Sequence, residues 1–195
     1  SNDPATLFGA SLNVLDRSIG KADMLMIVDL NNNVVIDTSL QGYTQLSGAW
    51  LSLVDEADAS EEGLAEAIVA IDGDPFQLIA LPLYLPRQVA WIIGGFALDQ
   101  NFVERVKETI VSEVSIIRRS DESNLVVVAS TLSAARQQIL AEQMAINSLA
   151  VDSLQRISLE GEEFTTLLRS LFGSSSDNLQ VLAIIYRSYH ENIYN

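Results

Sequence analysis

The chain of 195 residues has no cysteine and a single histidine. No disulfide framework and no zinc–thiolate scaffold can be built from it. Any Ser-His-Asp or Cys-His arrangement would have to use His190, which stands in Tyr-His-Glu-Asn a few residues from the end. Typical zinc and two-His iron sites lack their ligands for the same reason. Cations are scarce as well: eleven Lys and Arg face 26 Asp and Glu, a formal net charge of −15. The phosphate-neutralising surface that a nucleic-acid partner needs is missing, and anionic lipid would be repelled. No stretch reaches the roughly 18 uninterrupted apolar residues of a spanning helix. The two most apolar runs, 78–85 and 89–98, are separated by Pro86, Arg87 and Gln88.

Glycine-rich phosphate loops are absent too. Gly94-Gly95 lies inside an apolar run and not at a strand-to-helix turn, where a glycine marks a bulge or the close approach of another segment. Asp72-Gly73-Asp74 lacks the alternating ligands and closing Glu of a calcium loop and reads as the end of a helix. No cofactor and no metal are expected. The opening Ser-Asn-Asp-Pro carries neither an initiator Met nor a signal pattern, so the chain is expected to be a fragment of a longer protein.

What is present is apolar: 48% of residues are hydrophobic, enough to bury a core and to exclude disorder as the main state. Charge is uneven, and the unevenness suggests modules. Residues 23–99 hold twelve acids and one base, Arg87, whereas residues 100–195 hold twelve acids and eight bases. Phe8, Leu12, Leu15 and Ile19 form the stripe of an amphipathic helix over 5–21. Residues 24–30 and 34–36 read as strands around Asn31-Asn32-Asn33, and 76–84 and 89–98 as a second antiparallel pair. Between them the polar stretch 40–75 holds an expected helix at 61–71. From residue 101 the pattern restarts. A helix bearing Val103, Val106 and Ile110 leads to strands at 114–117 and 125–131, separated by a polar turn at 118–124. A helix over 134–147 and strands at 163–172 and 179–186 follow. Val-Val-Ile-Asp-Thr-Ser-Leu at 34–40 echoes Val-Val-Val-Ala-Ser-Thr-Leu at 126–132. The expected fold is α+β: an N-terminal helix at 3–22, then two modules at 23–99 and 100–195, each an antiparallel sheet with packed helices.

Glu61-Glu62 and Glu162-Glu163 read as solvated faces. Tyr43, Trp50, Tyr84 and Trp91 combine large apolar area with one polar handle, which suits both a small-molecule pocket and an ordinary core. Arg87, alone among acids, suits an anion or simple exposure in its Pro turn. These five are the candidate ligand-binding residues. The pocket is expected in the first module, where residues 40–75 can close over a sheet face; no catalytic residue is expected.

Phe76 to Asp99, FQLIALPLYLPRQVAWIIGGFALD, resembles the paired core strands of the extracytoplasmic double Cache (PAS-like) sensors of bacterial GGDEF and EAL signalling proteins. VSIIRRSDESNLVVVASTL resembles the strand pair opening their second module, and LQVLAIIYRSYHENI their last strand before the membrane. The resemblance implies a periplasmic domain whose parent is anchored in the inner membrane, with a cytoplasmic output that makes or degrades cyclic di-GMP. It also implies an unidentified small-molecule ligand. The Arg-x-Trp-Tyr signature of the amino-acid-binding relatives is not met, because Gln, Val and Ala separate Arg87 from Trp91 and no Tyr follows. No binding residue is therefore carried over. Pairing with a second chain through the N-terminal helix is expected, since such sensors signal by relative helix movement. Other readings are the sensor of a histidine kinase or chemoreceptor, and a structural dimerisation module.

Overall fold

The structure is a computed structural model that describes residue 9 and residues 21–39, 41–110, 112–121, 124–146, 150–171 and 180–188. Of the helix expected over 5–21, only Gly9, which is helical, and Lys21, which is not, fall within these residues; His190 falls outside them. The chain divides into two compact units, the first ending at Ala97 and the second taking residues 70–75 and everything from Leu98.

The first unit opens with β1 (Met24–Asp29) and β2 (Val34–Asp37). Asn32 turns the hairpin with φ 64°, a left-handed conformation that Asn tolerates. The Asp29 carboxylate accepts from the backbone N–H groups of Asn31 (2.8 Å) and Asn33 (2.9 Å) and from the Asn33 amide. These donors, the Asn33 side chain foremost, hold its pKa below the ordinary value of 3.8. Next comes α1 (Gly48–Ala59), which buries Trp50, Leu53, Val54 and Ala57, one stripe of a 3.6-residue period. The unit closes with β3 (Ala65–Ile71), β4 (Asp74–Tyr84) and β5 (Gln88–Ala97), and the strand order is β2-β1-β5-β4-β3.

Two expectations are corrected here. Residues 61–71 are not a helix: Ile68, Val69 and Ile71 are buried along strand β3, and the helix of this connection lies earlier, at 48–59. Ala65-Glu66-Ala67 favours a helix locally, but pairing with β4 and burial of the β-branched residues prevail. Asp72-Gly73 is accordingly no helix stop. Its φ values of 52° and 89° are both positive, as a two-residue hairpin turn between right-twisted strands requires. Central strand β5 is buried at six consecutive positions, as its apolar run demands. At Gly95 a Cβ would lie 2.4 Å from Met24 Cγ and 3.2 Å from Leu78 Cδ2, so neighbouring side chains close over this glycine.

The second unit repeats the plan. Asp99 caps α2 (Gln100–Ile110), accepting from the Phe102 N–H at 2.9 Å. β6 (Glu113–Asp121) and β7 (Asn124–Ser130) precede α3 (Ala134–Ile146), and β8 (Leu154–Leu159), β9 (Glu162–Ser170) and β10 (Gln180–Ser188) follow. The strand order is β7-β6-β10-β9-β8, the first unit's order with each strand replaced by its counterpart. Strand β8 was not expected. The turn expected at 118–124 is shorter, because β6 runs on through Arg118 to Asp121 and β7 starts at Asn124.

The duplication reaches single hydrogen bonds. Leu25 N–H donates to Thr38 Oγ1 (2.7 Å), while Thr38 N–H and Oγ1 donate to the Leu25 carbonyl. Val114 and Thr131 repeat the two backbone donations, Val114 N–H to Thr131 Oγ1 at 2.8 Å and Thr131 N–H to the Val114 carbonyl at 2.9 Å, with the Thr131 hydroxyl proton directed to Glu113. Each opening pair also carries a bulge two residues on, after Ile27 in one unit and after Ile116 in the other. The matching residues are thus Thr38 and Thr131, one position out of step with the echo read from the sequence.

Candidate functional site

Pairing register divides the first sheet into two faces, because residues directly opposite each other point the same way. Leu25, Ile27, Leu83, Ala90 and Ile92 form one buried cluster, with Ile36, Leu81 and Val89 packed against it. Trp91 is on the other face, paired with Val28 of β1 and Pro82 of β4. It is 5% exposed. The connection between β2 and β3 reaches this face: a Cβ on Gly63 would touch the Pro82 ring at 3.4 Å.

The start of that connection is anchored by Asp37, which accepts from Ser39 N–H (2.8 Å), Ser39 Oγ (2.5 Å) and Tyr43 N–H (3.4 Å). Bonds from Val34 N–H to the Thr44 carbonyl and from Leu46 N–H to the Asn32 carbonyl extend the anchoring. Half-buried Tyr43 thereby meets buried Trp50 of α1, their ring centroids 5.5 Å apart and tilted by 49°. This is a tilted aromatic contact of the kind that adds to plain area burial.

The five sequence candidates therefore separate. Tyr43 and Trp50 touch within the connection, and Trp91 lies on the sheet face that the connection reaches. Tyr84 is 60% exposed at the end of β4, and Arg87 is exposed in the turn that follows. Sequence reasoning passed over Gln88, the first residue of β5, whose buried Nε2 has no hydrogen-bond partner. The one signal available was its place between Arg87 and a run of apolar residues.

In the second unit the corresponding face is filled. Leu140 of α3 packs with Ile117, Leu132, Ile157, Leu159, Phe164 and Leu168 in one buried cluster. Arg136 fastens the start of α3: its Nε donates to Glu160 (3.0 Å), a second guanidinium nitrogen to Glu162 (2.6 Å), and its plane stands 5.2 Å over the Phe164 ring. The bond to Glu160, then the charge of Glu162, hold its pKa above the ordinary value against slight desolvation. Gln143 fastens the other end through a 2.8 Å bond to the Ser158 carbonyl. Beneath lies a buried hydroxyl pair, Ser115 and Ser130, at 2.6 Å. Among the described residues no group of three or more His, Cys, Asp or Glu is placed to hold a metal ion, and no helix is long and apolar enough to cross a membrane.

No family model and no curated protein matches the chain. Solved structures do. The periplasmic domain of Vibrio cholerae LuxQ matches with TM-score 0.51 and 19% identity over 93% of this chain and 79% of that one. The ligand-binding domain of the Pseudomonas aeruginosa chemoreceptor PctB, in complex with L-Arg, matches with TM-score 0.51 and 11% identity over 100% of this chain and 82% of that one. A domain of a sensory box/GGDEF family protein from Vibrio parahaemolyticus matches with TM-score 0.49 and 12% identity over 96% of this chain and 80% of that one. The duplicated sheet thus shares its fold with the LuxQ periplasmic domain and the PctB ligand-binding domain.

Proposed function

We propose that the chain is the extracytoplasmic ligand-sensing part of a bacterial transmembrane signalling protein and catalyses no reaction itself. The observation that carries this reading is the duplicated five-stranded sheet, whose solved counterparts include a periplasmic domain and a chemoreceptor ligand-binding domain. Residues 3–22 are the signalling helix, 23–99 the membrane-distal module and 100–195 the membrane-proximal one. The ligand is a small molecule bound in the first module, with Tyr43, Trp50 and Trp91 lining the site and Tyr84 and Arg87 at its rim. Its binding favours one of two arrangements of the helices entering the membrane, which requires unequal affinity for the two. Pairing of two chains through the N-terminal helix would transmit that difference.

The strand sequences at 76–99 and 114–132 favour a GGDEF or EAL output acting on cyclic di-GMP, with a histidine kinase or chemoreceptor as the second reading. Thermal-shift screening of the chain against amino acids, organic acids and amines tests the sensor part. A reproducible rise in Tm that Trp91→Ala abolishes supports it; no shift with any compound, or turnover of an ester, phosphate or peptide that one substitution removes, overturns it. Sequencing the parent gene beyond residue 195 tests the output: an apolar run followed by GGDEF or EAL is expected.

A further inference from the structure

The bulge in β5 aims a side chain that a regular strand would turn away. Between Leu83↔Ala90 and Tyr84↔Gln88 the register shifts, and Val89 is the extra residue. Val89 and Ala90 both pack with Leu83 in the cluster on one face of the sheet. Gln88 therefore alternates onto the opposite face, where Trp91 is its next neighbour along the strand and Pro82 lies across from Trp91. Without the extra residue, Gln88 would face the apolar cluster. At its end of the strand Gln88 leaves Nε2 buried and without a hydrogen-bond partner. Native proteins leave few such groups, because a desolvated donor loses its bonds to water and gains nothing in return. Trp91, 5% exposed, is the aromatic side chain on the same face.

We infer that Gln88 is the polar recognition residue of the first unit's ligand site: Nε2 donates a hydrogen bond to a carbonyl or carboxylate oxygen of a small molecule whose apolar part lies against Trp91. The inference rests on the sensor reading above and narrows it to ligands bearing an acceptor oxygen. The apolar indole and the single amide donor together disfavour polyols, which need many partners, and amines, which bring donors of their own.

The test uses the whole chain and named probes. Acetate, propionate, pyruvate, acetamide and L-leucine carry an acceptor oxygen; putrescine and tetramethylammonium carry none. Isothermal titration is run on the wild type, Gln88→Leu and Gln88→Glu, the last keeping the shape while removing the donor. At least one acceptor probe should bind, with affinity lowered tenfold or more in both variants. The Tm of unliganded Gln88→Leu should equal or exceed that of the wild type, since no bond is lost. Equal affinity in Gln88→Leu, or a Tm several degrees lower without ligand, overturns the role of Gln88. Binding of putrescine or tetramethylammonium alone overturns the acceptor requirement while the sensor reading stands. Binding of no probe, with no hit in the wider thermal-shift screen, removes both.

Discussion

The two units share strand order, bulge and a threonine at the same place in the opening strand pair, yet they hold their middle helix differently. In the second unit α3 is fastened by Arg136 at one end and Gln143 at the other, and Leu140 is fully buried in a seven-residue cluster. In the first unit the Ser52 hydroxyl of α1 donates within the helix, to the Gly48 carbonyl, and the burial of Trp50, Leu53, Val54 and Ala57 holds the helix. Apolar packing tolerates rearrangement better than directed ion pairs do, because it has no fixed partner geometry. The two copies therefore hold their helices by different means, directed bonds in one and apolar burial in the other.

The contrast can be broken most strongly at Leu140. Replacing it by Ala leaves a cavity beneath a helix fastened at both ends and should cost about 2–5 kcal/mol. Leu53→Ala, equally buried under the less directed helix, should cost less because its surroundings can collapse. Urea unfolding followed by circular dichroism compares them; equal losses would remove the distinction between the helices. The bridging threonines sharpen the comparison. Thr38→Val should cost about 1 kcal/mol, since one hydroxyl bridge to Leu25 is lost. Thr131 donates its hydroxyl proton to the Glu113 carboxylate at 2.5 Å in place of a backbone carbonyl, so Thr131→Val should cost measurably more, and equal costs would mean that the carboxylate contributes nothing.

A smaller effect is expected at Arg136. Its side chain is 28% exposed and its partners Glu160 and Glu162 are 42% and 33% exposed, so solvent screening leaves at most about 1 kcal/mol. Arg136→Gln should lose less at high salt and should speed hydrogen exchange in 134–146. Unchanged exchange would show that Leu140 alone holds α3. The smallest effect belongs to Asp29. Its folded pKa is depressed, so its contribution is present above the ordinary 3.8 and lost as pH falls through the lower folded value. The stability gap between wild type and Asp29→Asn should be constant near neutrality and close in acid below pH 3.8. A gap that persists there would assign the effect to the turn backbone.

Strands β1, β2, β4, β5, β6, β7, β9 and β10 were legible because apolar runs bounded by Asn, Pro or polar residues have few alternatives. What escaped had mixed signals. In β3, Ala65-Glu66-Ala67 outweighed the β-branched residues that follow, and only pairing with β4 decides the matter. The stripe Trp50, Leu53, Val54, Ala57 was readable as α1, but the surrounding acids and small polar residues disguised it as loop. Leu154-Gln155-Arg156-Ile157-Ser158-Leu159 alternates, yet Leu154 is 73% exposed on an edge strand, so its pattern is weak. The echo at 34–40 and 126–132 was visible but misaligned by one residue, since a run of valines matches itself at neighbouring offsets. Of the site, aromatic type was legible. The role of Gln88 was not, because it depends on a bulge that composition does not announce.

Trp50 and Trp91 are the chain's only tryptophans, and both belong to the first unit, one in its helix and one on its sheet. Intrinsic fluorescence excited at the indole band is consequently an optical signal of that unit alone. Trp50 stands against the Tyr43 ring and Trp91 beneath the reach of the Gly63 turn, so a change in how α1 sits should alter emission wavelength or quenching without any attached dye. The protein thus carries its own spectroscopic reporter in the first unit, while the second stays dark at that excitation.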